Sequence, residues 1–266
     1  MLTIKQAKPG FSRAALSNPW CLLRTVLCLW VSLCALATFS AYAGDGVIPA
    51  KRSQEYPWMS VAQWEQQHRE DVLIAEQTEP KVDVLFIGDS ITAGWDAQVW
   101  QQYFAPLQAA NFGIGGDHTG NLLWRLQHGA IGQLQPRLIV LLIGVNNFGH
   151  LHETPAQVAQ GVSAVVQQIR LAWPRSRLLL NGILPYTPTP SAPERQQVAA
   201  ANKLIQRLAD GRAIVFKDYG PLFVTAKGEI SADMMADFLH PTPKAYQQWA
   251  QVLAPDIQAL LKFGGY

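Results

Sequence analysis

Between Arg137 and Gly144 runs Leu138-Ile139-Val140-Leu141-Leu142-Ile143, apolar at every position. A strand with one wet face alternates apolar and polar residues, so a run with no polar position must be covered on both sides. That is a central strand of a parallel sheet sandwiched between helices. Parallel neighbours need long crossover connections, usually helical, and the chain alternates accordingly. Strands are expected at 84–87, 109–112, 138–143, 178–183 and 213–216, with helical spacing at 59–76, 97–104, 121–127, 155–173, 194–210 and from Pro243 onward. Thr119, Thr154 and Thr242 stand where helix N-caps belong. The expected fold class is α/β: a three-layer α/β/α sandwich with about five parallel strands and right-handed crossovers.

Residues 1–43 do not fit that alternation. Lys5, Lys8, Arg13 and Arg24 precede an apolar run from Val26 to Phe39, and Ala41-Tyr42-Ala43 offers small residues where a signal peptidase reads them. The expected reading is a secretory signal peptide over 1–43, cleaved before Gly44, with a secreted or periplasmic product. The alternative is an uncleaved membrane anchor, against which an apolar run of about 14 residues is short of the roughly 20 that span a bilayer; no stable membrane span is expected once the signal is cleaved. Residues 44–58, with Pro49 and Pro57, read as an extended lead-in, and 59–266 as one domain. Cys21, Cys28 and Cys34 are the three cysteines of the chain and all precede Gly44, so neither a thiolate nucleophile nor a thiolate metal site is available to the remainder. Taking the four basic residues of the leader from the 21 of the chain leaves 17 against 19 acidic, a net of −2. The sequence pI of 8.4 therefore belongs to the precursor and gives no reason to expect a nucleic-acid partner.

The chemistry gathers at strand ends. Val84-Leu85-Phe86-Ile87 stops in Gly88-Asp89-Ser90, placing Ser90 just past a strand's carboxyl end, the edge where ligands bind in open parallel sheets. By itself this serine is better explained as a helix cap. The second strand runs into Gly113-Ile114-Gly115-Gly116-Asp117, whose glycines let backbone N–H groups face something close, although the spacing is not a dinucleotide fingerprint. The central strand ends in a turn at Gly144-Val145-Asn146-Asn147. Before the last helix comes Asp237-Phe238-Leu239-His240, where an Asp three residues before a His can fix the imidazole's tautomer. Acyl transfer needs a nucleophile, a base, an orienting acid and oxyanion donors, and each role has a candidate here.

Taken in order, the blocks at 88–91, 116–117, 144–147 and 237–240 make the sequence resemble the SGNH or GDSL hydrolases. The stretch Asn111–Gly129 together with GVNN and DFLHP is similar, more narrowly, to the catalytic subunits of intracellular-type platelet-activating factor acetylhydrolase. The resemblance covers roughly Val82 to Leu261. It implies a flavodoxin-like SGNH hydrolase fold and a serine esterase with no cofactor and no metal. Carried across position by position, it makes Ser90 the nucleophile, His240 the general base and then acid, and Asp237 its orienting carboxylate. The oxyanion hole would be the N–H groups of Ser90 and Gly116 with the Asn146 side-chain amide. Asp89 is expected only to stabilise its turn. Ile91 stands where the family name has Leu, and Asn147 where Asp is commoner.

Ile91, Val145 and Leu239 each adjoin one of these residues, so their side chains are expected to crowd an acyl pocket and favour acetyl over long chains. The expected partner is a small-molecule or carbohydrate ester. An O-acyltransferase acting on carbohydrate uses the same residues, a binding module with the same fold is the non-catalytic alternative, and a homodimer stays open. His150 and His152 are read as exposed loop residues with contact to a polar substrate as the lesser reading, and Trp95 and Trp124 as core with a cleft-lining role as the lesser reading. The proline-rich loop 185–193 is read either as a cleft wall or as a surface excursion.

Overall fold

The computed structural model describes residues 44–262; the leader 1–43 lies outside the described residues. In chain order these form α1 (Val61–Ala75), β1 (Val84–Gly88), α2 (Ser90–Ala93), α3 (Ala97–Tyr103), β2 (Ala109–Gly113), α4 (Thr119–Arg125), β3 (Leu138–Leu142), α5 (Val145–Leu151), α6 (Pro155–Ala172), β4 (Arg177–Asn181), α7 (Pro193–Ile205), β5 (Ile214–Lys217) and α8 (Pro243–Lys262). The strands make one sheet in the order β2-β1-β3-β4-β5, every neighbouring pair parallel. That is the flavodoxin-like order expected.

Burial follows strand position. Every residue of β1 and of β3 is buried, whereas the edge strands β2 and β5 are largely half-exposed, as a sheet covered on both faces requires. Helices α3 and α8 pack together, and α4, α6 and α7 pack in series. Phe86 on β1, Trp95, Phe104 and Trp249 on α8 form an aromatic cluster with ring centroids 4.8 to 6.2 Å apart where they pair. Trp95 is 8% exposed, so it is core and lines no cleft. Trp124 packs on Trp64, His68 and His128 and is likewise taken up in packing.

Helix starts follow local chemistry. Thr154 closes a capping box with Gln157, with Pro155 at the first helical position. At α4 the expected cap is displaced by one residue: His118 is the N-cap, its Nδ1 accepting from the Gly120 N–H at 3.1 Å. Thr119 is diverted into a buried network, donating its hydroxyl to the Gly46 carbonyl at 2.8 Å and its N–H to Asn147 Oδ1 at 3.0 Å. The segment after β3 is also more regular than a turn, because Gly144 at φ +128° is followed directly by α5.

Reversal of strand order puts the switch point between β1 and β3. The crevice outside their carboxyl ends is where such sheets bind ligands, and Ser90 follows β1 while Asn146 follows β3.

Candidate functional site

Ser90 is the first residue of α2, so its N–H has no intrahelical acceptor. Asp89 caps this helix through Oδ1, which accepts from the Ile91 N–H at 3.0 Å. Gly88 has no room for a side chain: a Cβ there would lie 2.1 Å from the Leu142 carbonyl oxygen and 2.3 Å from Thr92 Oγ1. The close approach of β1 and β3 thus fixes where the serine emerges.

His240 arrives from the turn before α8. Asp237 Oδ1 accepts from the N–H groups of Leu239 and His240 at 3.0 and 2.8 Å, winding the turn on its own carboxylate. Phe238 adopts φ +60°, a left-handed conformation a bulky residue takes only when its surroundings hold it there. The proline-rich loop supplies that hold, since the Thr187 N–H donates to the Phe238 carbonyl at 2.9 Å. Through Thr187 the loop therefore backs this turn.

The side chains then meet. His240 Nδ1 donates to Asp237 Oδ2 at 2.6 Å, and Ser90 Oγ lies 2.9 Å from His240 Nε2. With the Nδ1 proton held on the carboxylate, Nε2 is the acceptor for the Ser90 hydroxyl. Burial pushes the Asp237 carboxyl up, but the His240 ring and the two amides outweigh it and hold the group below its ordinary value. The dyad stands at the surface, with the His240 and Asp237 side chains 42% and 57% exposed.

The other two expected oxyanion residues border the same cavity as the hydroxyl. Gly116 has φ +75°, and a Cβ there would come within 2.5 Å of the Trp58 ring. Asn146 Nδ2 donates to the Asp117 main-chain carbonyl at 2.9 Å, which leaves its second amide hydrogen free to point elsewhere. Ser90, Gly116, Asn146 and His240 share one cavity of about 260 Å³ with Trp58, His150 and Leu239. Of the three residues expected to crowd the acyl end, Leu239 lines this cavity. Ile91 and Val145, 2% and 6% exposed, pack into the hydrophobic core.

Sequence reasoning missed several neighbours. Trp58, from the lead-in, is 56% exposed at the cavity mouth and stacks on Tyr56 at 4.9 Å with a 1° interplanar angle. Tyr56 in turn packs on His150 at 4.7 Å, and His150 lines the cavity, in line with the lesser of the two readings its sequence position allowed. Beneath them is a buried ionic cluster. Asp117 accepts from Arg52 Nη2 at 3.1 Å, Trp64 Nε1 at 2.7 Å and Arg125 Nε at 2.7 Å. Arg125 also reaches Asp71 Oδ2 and the carbonyls of Phe112 and Gly88, tying α1, β1, β2 and the glycine loop to one guanidinium. Burial pushes the Asp117 carboxyl up against the pull of both arginines. It lifts Asp71 to about 7 despite Arg125. The motif residue Asp117 was the one local signal of this cluster; nothing near Arg52 or Arg125 in sequence marks them.

This fold and this site are those of a carboxylic ester hydrolase. A profile of the GDSL-like lipase/acylhydrolase family matches residues 86–248, and the chain belongs to that family. Platelet-activating factor acetylhydrolase IB subunit alpha2 of Rattus norvegicus is 38% identical over 205 residues, 75% of this chain and 85% of the relative. A GDSL-like lipase from Bacteroides thetaiotaomicron superposes with a TM-score of 0.62 at 21% identity, covering 76% of this chain and 98% of its own. A carbohydrate acetylesterase from Sinorhizobium meliloti does so with a TM-score of 0.55 at 19% identity, covering 68% and 100%.

Proposed function

We propose that the protein hydrolyses short-chain carboxylic esters, acetyl esters foremost, through an acyl-enzyme on Ser90. The observation that carries this is the continuous pair of contacts from Ser90 Oγ through His240 to Asp237, at 2.9 and 2.6 Å. In the first half-reaction Ser90 Oγ attacks the ester carbonyl while His240 Nε2 takes its proton, and Asp237 balances the imidazolium. The tetrahedral oxyanion is received by the N–H groups of Ser90 and Gly116 and by the Asn146 amide. Collapse breaks the bond to the alcohol, which leaves with the proton from His240. Water, deprotonated by the same imidazole, then attacks the acyl carbon, and the carboxylic acid departs as Ser90 regains its hydrogen.

The small acyl group is favoured by room. A cavity of about 260 Å³ shared by the whole site is below the roughly 300–1,000 Å³ of sites that enclose larger ligands, and Leu239 occupies one wall. Turnover of 4-nitrophenyl acetate and octanoate by the parent and by the Ser90→Ala variant tests both parts. Loss of turnover in the variant with folding retained is expected, together with a preference for acetate in the parent. Full activity without the hydroxyl would sink the acyl-enzyme, and a preference for octanoate would sink the short-chain reading alone.

Export is part of the same proposal, with cleavage of the leader before Gly44. Supporting it, Gly44 is packed so tightly on Glu153 that a Cβ would lie 2.0 Å from Oε1. Glu153 is 5% exposed and accepts from the Gly46 N–H and from Asn147 Nδ2 at 2.7 and 2.8 Å. A chain beginning at Gly44 would bring its α-ammonium beside this buried carboxylate, a pairing that buried charges require. N-terminal sequencing of the protein recovered from outside the cytoplasm is expected to begin at Gly44; a retained leader would refute the cleavage.

A further inference from the structure

Arg52 belongs to no motif and lies in the segment that the sequence presents as a lead-in, yet it is 4% exposed. Its guanidinium is held over Tyr56 and Trp64, 5.2 and 5.7 Å from their ring centroids. We propose that Arg52 is a positioning residue for the oxyanion donors, fixing and polarising the peptide that carries the Gly116 N–H. The inference rests on the Ser90 acyl-enzyme reading above.

The Gly115 carbonyl and the Gly116 N–H are opposite ends of one planar unit. Arg52 Nη2 donates to that carbonyl at 2.6 Å. Holding the oxygen sets the direction of the N–H on the other side. Glycine at both 115 and 116 leaves this peptide freer to rotate than any other pair of residues would, so an outside anchor is what keeps the donor aimed. A charge-assisted bond at the oxygen also draws electron density from the N–H. Such coupling strengthens each bond in a chain by on the order of 10–30%.

The same Nη2 reaches Asp117 Oδ1 at 3.1 Å, and the Asp117 main-chain carbonyl accepts from Asn146 Nδ2 at 2.9 Å. One guanidinium thus touches both the peptide bearing the first donor and the residue that orients the second. Net charge alone is not the mechanism, because the guanidinium is ion-paired with the buried Asp117 carboxylate at 3.1 Å. Geometry is, since preorganised donors stabilise the transition state without reorganising during the reaction. Lysine would keep the charge but lose the rigid planar group whose Nη1 is held on Met59 Sδ at 3.3 Å while Nη2 makes both contacts.

The test compares Arg52→Met, Arg52→Lys and Arg52→Ala with the parent and with Ser90→Ala, all as the full chain, on 4-nitrophenyl acetate. In the Met and Lys variants kcat is expected to fall about 10- to 100-fold, part of the loss of a whole donor, with KM within about threefold of the parent. A trifluoromethyl ketone, which forms a tetrahedral adduct on the serine, should lose affinity in step with kcat/KM. Methylguanidinium should restore kcat in Arg52→Ala and leave Arg52→Met unaffected, which a merely structural arginine would not produce. Parent-like kcat in Arg52→Met, or a loss confined to KM with ketone affinity unchanged, overturns the role. If the Ala and Met variants do not fold, Arg52→Lys decides by the same two ratios. An active Ser90→Ala would defeat the acyl-enzyme reading, whereas an inactive one beside unimpaired Arg52 variants defeats only the inference on Arg52.

Discussion

Ser90 and His240, 150 residues apart along the chain, are joined by a contact of 2.9 Å between Oγ and Nε2. Two groups that act as one unit lose their effect together, so Ser90→Ala, His240→Ala and the double variant are expected to show nearly equal losses of kcat, roughly 10⁴- to 10⁶-fold. Asp237→Asn should cost less, because that carboxylate is 57% exposed and water can replace part of its interaction with the ring. Steady-state kinetics on a single acetyl ester checks this. Losses that multiply in the double variant would mean that the hydroxyl and the imidazole work independently.

Asn146 provides a second measure. Its amide is aimed by the Asp117 carbonyl at 2.9 Å, and removing one oxyanion donor costs on the order of 100- to 1000-fold in kcat. Asn146→Ala should therefore lose kcat by that factor while KM stays near the parent value. A rise in KM with kcat retained would make Asn146 a substrate-binding group instead.

The fold was legible because the sheet writes its burial into the sequence: Leu138–Ile143 has no polar position, and its strand is buried throughout. The candidate residues were legible because each follows a strand or precedes a helix with a recognisable cap. Trp58 and Arg52 were not. The segment 44–58 has no periodicity, and what orders it is contact with distant partners: Arg52 with Gly115 and Asp117, Ala50 with Gly120 and Asn121. Arg125 was hidden differently, since a buried arginine on a helix has the same letter as a solvated one. Adjacency in sequence also misled for Ile91 and Val145. Successive residues of a helix point to different faces, so flanking a site residue does not place a side chain in the cavity.

Of the three residues expected at the acyl side, Leu239 is the one that lines the cavity. Shortening it opens space for added methylenes, each worth roughly 10-fold or more in a fitted apolar site. In Leu239→Ala the ratio of kcat/KM for 4-nitrophenyl butanoate over acetate should rise by about tenfold. An unchanged ratio would place the acyl chain elsewhere, and Trp58, on the cavity's exposed rim, would be the next wall to vary.

Asp89 sits one residue before the serine with its carboxyl buried; Oδ1 accepts the Ile91 N–H, and Oδ2 has no hydrogen-bond partner among the described residues. Burial lifts its pKa from the ordinary 3.8 to about 7, outweighing the pull of the Ile91 amide. A carboxyl raised on folding binds its proton more tightly in the native state, so its stabilising contribution is complete below about pH 3.8 and is lost as pH climbs through about 7. Asparagine cannot ionise and lacks this slope. The stability of D89N relative to the parent should therefore increase from pH 4 to pH 7 and level off above, by on the order of a few kcal/mol. Asp71, lifted to a similar value, keeps its own slope in both proteins and cancels in the difference. Urea titrations at intervals of one pH unit read that difference directly. A flat curve would show Asp89 ionised throughout, which needs a cation or water at Oδ2 to hold the charge.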